Sequence, residues 1–257
     1  MVMAKLKYAW RWFATAASFF VFGVGGILVP IMIVPVLYLL PGDVLVRERR
    51  GKKVIHHSFR FFIRMMKFLG LLKYQVTDVK KLQGAQLILA NHPSLLDVVF
   101  LISLVPNASC IVKGKLLKNP FMRGPIKAAG YIVNEGGAGD IITEAAAAFD
   151  KGHALIIFPE GTRTTPSNKI QLQRGAANIA VRKGVDITPI IISCTPTTLT
   201  KSDRWYDIPD KTVCFQIRIK DKIRVAPYLK ENNFPKGVRA LTLDLTTYFN
   251  NEARVNE

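Results

Sequence analysis

The sequence predicts an α/β protein: a mixed, mostly parallel sheet flanked by helices, preceded by an N-terminal membrane-associated helical segment. Two observations carry that prediction. From about residue 73 onward, apolar runs of strand length alternate with segments of helical period, the pattern of crossover helices on a sheet. Before them, Phe13 to Leu40 is a stretch of 28 residues without a charge. The expected division is 1–72, a membrane-anchoring helical hairpin with a basic amphipathic helix, and 73–257, a catalytic domain.

The uncharged stretch comes first in the chain. At ~1.5 Å per residue it would overshoot a ~30 Å hydrocarbon core as one straight helix. Gly23, Gly25, Gly26, Pro30 and Pro35 interrupt it, and proline breaks or kinks helices. Lys5, Lys7 and Arg11 precede it, and Arg47, Arg49, Arg50, Lys52 and Lys53 follow. Basic residues mark the cytoplasmic side, and both ends carry them. A hairpin entering and leaving on the cytoplasmic face is therefore favoured over a single span. Val54 to Leu72 then mixes basic residues with Phe59, Phe61, Phe62, Ile63, Met65, Met66 and Phe68 at helical spacing. That reads as an interfacial amphipathic helix, with packing on the catalytic domain as the alternative.

Strands are expected at 74–79, 86–90, 109–112, 131–133, 153–158, 187–193 and 213–219. Helices are expected at 95–104, 121–129, 141–149, 173–182 and 237–253. The 134–139 loop is rich in glycine and ends at Asp140, a plausible cap. A net charge of +18 calls for an anionic partner. With 49% apolar residues, an anionic bilayer surface fits better than nucleic acid. Two of the three cysteines (Cys110, Cys194, Cys214) lie in strand-like runs without metal spacing, so buried reduced thiols and a reducing cytoplasm are expected. Phosphate-loop, nucleophile-elbow, zinc-protease and dinucleotide motifs are all missing from the sequence.

Two short segments carry chemistry. Asn91-His92-Pro93-Ser94-Leu95-Leu96-Asp97 and Phe158-Pro159-Glu160-Gly161-Thr162-Arg163 each follow an apolar run, where α/β sheets place their ligand crevices. An alcohol attacking a carbonyl must lose a proton, and a neutral imidazole takes it near neutral pH. His92 is the expected base and Asp97 the carboxylate that orients it. Ser94 lacks the elbow context of a nucleophile, so direct transfer is favoured over an acyl-enzyme. Gly161 permits a tight turn, and Arg163 suits bidentate phosphate recognition. A structural Glu160–Arg163 ion pair is the plainer alternative.

These motifs together resemble the glycerolipid acyltransferases, the lysophosphatidic-acid acyltransferase group. Lys113-Gly-Lys115-Leu-Leu-Lys-Asn-Pro120 with Gly124, and Ile187-Thr-Pro189-Ile-Ile-Ile-Ser193, are similar to two further blocks of that family. The resemblance implies transfer of a fatty acyl chain from an acyl thioester to a lipid hydroxyl, with 1-acylglycerol-3-phosphate as the leading acceptor. It implies catalytic roles for His92 and Asp97, and substrate binding by Asn91, Glu160, Gly161, Thr162, Arg163 and Lys113. It implies no metal and no cofactor beyond acyl carrier protein or coenzyme A as co-substrate. An acidic carrier protein would suit the basic surface as partner. One departure stands out: Gly130-Tyr-Ile-Val-Asn-Glu-Gly136 opens like the family's second block, but the Arg position falls at Gly136 or its neighbours. Two other readings stay open, namely the same chemistry on a non-glycerophospholipid acceptor, and a catalytically idle membrane-binding protein of the same fold.

Overall fold

The computed structural model describes residues 2–134, 138–164, 169–229 and 233–254. Each expected strand is present, and all seven form one sheet: β1 (Leu72–Thr77), β2 (Leu87–Ala90), β3 (Ala108–Lys113), β4 (Ile132–Asn134), β5 (Ala154–Ile157), β6 (Ile187–Thr195) and β7 (Val213–Ile219). Their order is β1-β7-β6-β2-β5-β3-β4. Every neighbouring pair is parallel except β6–β7, so the sheet is mixed and mostly parallel as predicted. β1 starts and ends two residues earlier than expected, because Asp78 turns into the left-handed region and ends it.

The central strands are buried on both faces, which is why they read as unbroken apolar runs. Ile88 and Ile156 face a core shared with α3 (Val44–Phe68) and α4 (Leu96–Leu104). Leu87, Leu89 and Leu155 face the opposite core, built with α6 (Ala138–Asp150), α7 (Arg174–Lys183) and α9 (Phe234–Arg254). Two shorter helices, α5 (Pro120–Ala128) and α8 (Ala226–Leu229), fill the connections. Asp140 lies inside the first turn of α6 rather than capping it, where a carboxylate still suits the helix dipole.

The N-terminal segment departs from the expected hairpin. α1 (Val2–Leu28) runs straight into a π turn (Val29–Ile33) and then α2 (Val34–Leu39), so the chain does not reverse between 13 and 40. A Cβ added at any of the three glycines would meet nothing within 4 Å, and the helix runs through them without a turn. Pro30 and Pro35 each fall in the first turn of a new segment, where the missing N–H costs little. The π turn reroutes the ladder, with Val34 N–H donating to Val29 O. Reversal comes later, at 40–43, where Asp43 caps α3 by accepting from Val46 N–H at 2.7 Å. α1 and α3 then run side by side, and Trp10 Nε1 donates to Leu69 O at 3.0 Å.

Residues 5–39 form a helix long and apolar enough to cross a membrane. Little of it is covered by protein: Phe20 is 72% exposed and Leu39 84%. α3 packs on the sheet domain, the alternative its sequence allowed, and leaves apolar side chains uncovered. One face buries Phe62, Ile63 and Met66 in the sheet core, while Phe61 and Phe68 point outward. Its first half passes so close to α5 that a Cβ on Gly51 would sit 2.5 Å from Ala128 O. Beside it Lys52, almost wholly buried, donates to Ala129 O and lies over the Tyr131 ring.

Candidate active site

The site lies at the carboxyl ends of β2 and β5, adjacent parallel strands. Past the end of β2, the side chain of Asn91 continues the pairing with β6. Its Nδ2 donates to Ile192 O and its Oδ1 accepts from Ile192 N–H, both at 2.8 Å. Each end of the buried amide thus makes a bond within the protein, so Asn91 fixes the loop that carries His92.

His92 follows on that anchored turn. Ser94 and Asp97 close a tight corner, with Ser94 N–H donating to Asp97 Oδ2 at 2.7 Å and Asp97 N–H to Ser94 O at 3.2 Å. The corner folds Asp97 back across five residues, and His92 Nδ1 donates to Asp97 Oδ2 at 2.9 Å. With Nδ1 as the donor, the neutral imidazole keeps a bare Nε2, a tautomer assigned from this hydrogen-bond network. The imidazole stacks on Phe158 at 4.3 Å between centroids. Its side chain is 14% exposed while that of Asp97 is fully buried. Burial pushes the Asp97 carboxyl up to about 6, against the opposing pull of His92 and Ser94 N–H. Asp97 Oδ1 has no hydrogen-bond partner. Ser94 is fully buried and its Oγ accepts from Leu96 N–H at 3.4 Å.

The second loop holds the first in place. Gly161 adopts φ +70° and donates to Phe158 O, making the tight turn its residue type promised. Glu160 Oε1 accepts from His92 N–H at 3.1 Å and from Thr164 Oγ1 at 2.7 Å. Thr164 Oγ1 also accepts from His92 N–H at 3.0 Å, and Thr164 N–H donates to His92 O at 2.7 Å. Glu160 is raised above the usual carboxylate range, chiefly by burial. Thr164, which sequence reasoning passed over, is thus a direct clamp on the His92 backbone; the only available signal was a hydroxyl four residues after Glu160. Arg163 pairs with no carboxylate among the described residues. Its Nη1 donates to Leu199 O at 2.8 Å and Thr200 O at 2.7 Å, tying down a loop that the sequence did not flag.

Gly161 and Thr162 are exposed beside this turn. Lys113 is exposed at the end of β3, on the same sheet edge but two strands from β2, about 10 Å across the sheet. The second-block position at Gly136 lies outside the described residues. Among the described residues no group of three His, Cys, Asp or Glu side chains is placed to hold a metal. Cys110 and Cys194 are buried and Cys214 is exposed; all three are free thiols. Burial raises Cys110 and Cys194 to about 12, far from a reactive thiolate.

Next to the dyad an apolar slot of about 100 Å³ opens between α1, α3 and the Leu199 loop, lined by Phe19, Phe22, Met66, Leu95, Leu96 and Leu199 among others. Leu95 and Leu96 belong to the corner that follows His92, so the loop that carries the imidazole also forms part of the slot wall. The fold and site define an α/β protein with a His–Asp pair at the carboxyl ends of parallel strands, on a loop that also lines an apolar slot.

Comparison with known proteins agrees. Residues 72–193 match the family described as Acyltransferase. The chain is 29% identical to human 1-acyl-sn-glycerol-3-phosphate acyltransferase beta over 162 residues, 56% of each protein. It is 32% identical to the Helicobacter pylori 1-acyl-sn-glycerol-3-phosphate acyltransferase over 115 residues, 42% of this chain and 48% of that protein. It spans about half the length of these relatives. The crystal structure of the 1-acyl-sn-glycerophosphate (LPA) acyltransferase from Thermotoga maritima has the same fold, with a TM-score of 0.65 at 19% identity, covering 95% of this chain and 97% of that one. Residues 72–193 thus form a domain of the acyltransferase family, and the relatives it resembles are 1-acylglycerol-3-phosphate acyltransferases.

Proposed function

We propose that the chain transfers a fatty acyl group from an acyl thioester to a lysophospholipid hydroxyl, with 1-acylglycerol-3-phosphate as acceptor. The observation that carries this reading is the His92–Asp97 pair, on a loop whose Leu95 and Leu96 line the apolar slot. The acceptor hydroxyl attacks the thioester carbonyl carbon as His92 Nε2 takes its proton. Asp97 holds the tautomer and offsets the charge of the imidazolium. The tetrahedral intermediate then collapses, the C–S bond breaks, and the imidazolium returns the proton to the leaving thiolate, giving an ester and a free thiol. The Glu160–Thr164 clamp keeps Nε2 aimed at the reacting hydroxyl, and small errors in such aim are costly.

In this reading the acceptor's phosphate meets the open nitrogens of Arg163 and the ammonium of Lys113. The acyl chain follows the slot toward α1, which sits with residues 5–39 in the bilayer and leaves the site on the cytoplasmic face. The donor is acyl carrier protein or coenzyme A, and the +18 chain favours the acidic carrier. The test is turnover by the purified full chain. Labelled acyl carrier protein and acyl-coenzyme A are each offered with lysophosphatidic acid or with monoacylglycerol, which lacks the phosphate. Esterification of lysophosphatidic acid, lost in His92→Ala, is expected. Preference for monoacylglycerol would move the acceptor to phosphate-free lipids, and equal turnover by wild type and His92→Ala would end the catalytic reading.

A further inference from the structure

A second cavity lies apart from the dyad and shares no lining residue with the slot. It is an open groove of about 410 Å³ between α2 and α5, floored by Val34, Leu117 and Pro120 and rimmed by Lys118, Arg123 and Lys127. All three cations are exposed, and among the described residues none of them meets a carboxylate. Tyr38, also in the lining, carries Arg47 stacked over its ring at 4.3 Å, so a fourth cation stands at the rim. Gly124 lets α5 approach α2, with Pro30 and Val34 as its nearest neighbours. The groove therefore sits at the end of the apolar helix. Exposed Val36, Leu39, Phe121 and Met122 continue it as an uncovered apolar margin.

We infer that this groove binds the headgroup of an anionic membrane phospholipid, its phosphodiester held by Lys118, Arg123 and Lys127 and its upper chains laid along α2. Unpaired cations around a concave floor suit phosphate, and basic residues beside an interfacial apolar helix draw anionic lipid. A free phosphate ion would satisfy the cations but not the apolar margin. An acidic protein would need a broader charged face than a groove flanked by Leu39 and Phe121 offers. The inference rests on the membrane-facing reading of residues 5–39, not on the catalytic one.

The test uses the full chain in mild zwitterionic detergent and reads bound lipid by native mass spectrometry, without turnover. Short-chain phosphatidylglycerol is expected to bind one-to-one at least about tenfold more tightly than phosphatidylcholine. Lys118→Gln/Arg123→Gln/Lys127→Gln should lose that preference, while Lys183→Gln/Lys222→Gln/Arg239→Gln, the same charge removed from α7, α9 and the loop before α8, should keep it. Acyl transfer in zwitterionic micelles should be unchanged in both variants. The inference fails if the groove variant keeps the preference, or if inorganic phosphate displaces the lipid at equal concentration. It also fails if acyl carrier protein binding, rather than lipid binding, is what the groove variant loses. Loss of turnover by the groove variant in zwitterionic micelles would make the groove part of the acceptor site and overturn its separateness.

Discussion

Asp97 and Glu48 are both buried carboxylates facing a nitrogen base, and they are finished differently. Both oxygens of Glu48 accept from Lys151 Nζ at 3.0 Å, and Lys52 beside it is spent on Ala129 O and the Tyr131 ring. That cluster joins α3 to the connections that lead into β4 and β5. Asp97 uses only Oδ2; its Oδ1 is unpartnered, and the imidazole it holds keeps Nε2 bare. A closed ion pair fixes an interface. A half-closed one holds unspent polar capacity at a stated atom, and buried groups left so are exceptions that call for a reason. On the proposed function the reason is proton transfer by the imidazole.

The comparison breaks most sharply on His92. His92→Ala should lower kcat by about 10²–10⁴-fold with only a modest drop in the thermal midpoint, because Asp97 keeps its bond from Ser94 N–H when the imidazole is removed. Steady-state rates and a melting curve on the same preparation check both halves. A large drop in the melting midpoint would mean that the dyad is structural, as the Glu48 cluster is.

Glu48→Gln should do the reverse. Removing one partner of a buried ion pair costs up to ~3–5 kcal/mol, but the Lys151 side chain is 39% exposed, so about 1–3 kcal/mol is expected, read from the urea midpoint. Lys52, already lowered to about 8 by burial and held there partly by Glu48, should fall further. The rate per folded molecule should stay within about threefold of wild type.

Acidity sharpens the contrast further. Asp97 is raised from 3.8 to about 6, so the ionised carboxylate that orients His92 is lost as pH falls through about 6. An acid limb in kcat near that pH is expected, reported by the pair as a unit. The stability sign is opposite: the folded state binds this proton more tightly than the unfolded one. Its contribution is full below 3.8 and disappears as pH rises through about 6. Asp97→Asn should therefore match or exceed the wild-type urea midpoint above pH 6 while losing activity. A midpoint well below wild type at pH 8 would contradict it.

The sheet was legible because its strands are buried on both faces and bounded by turn residues, so their apolar runs stand out. His92 and Asp97 were legible because their partnership is local. The continuous N-terminal helix was not, since a proline reads as a breaker until a π turn reroutes its ladder. The protein partners of Asn91 and Arg163 were not legible, for one reason. Their partners, Ile192 and the carbonyls of Leu199 and Thr200, are separated from them by 101, 36 and 37 residues, and nothing local records a contact made across the sheet edge.

Thr164 gives the smallest effect and the finest probe of how the two loops cooperate. Its hydroxyl accepts from His92 N–H and donates to Glu160 Oε1, so Thr164→Val removes both contacts and leaves Glu160 bonded to His92 N–H alone. A net hydrogen bond is worth ~0.5–1.5 kcal/mol, so a loss of about three- to tenfold in kcat is expected with little change in KM. Thr164→Ser, which keeps the hydroxyl, should stay near wild type. If instead KM for the acceptor rises and kcat holds, the Glu160 loop acts on the acceptor directly rather than by aiming the imidazole.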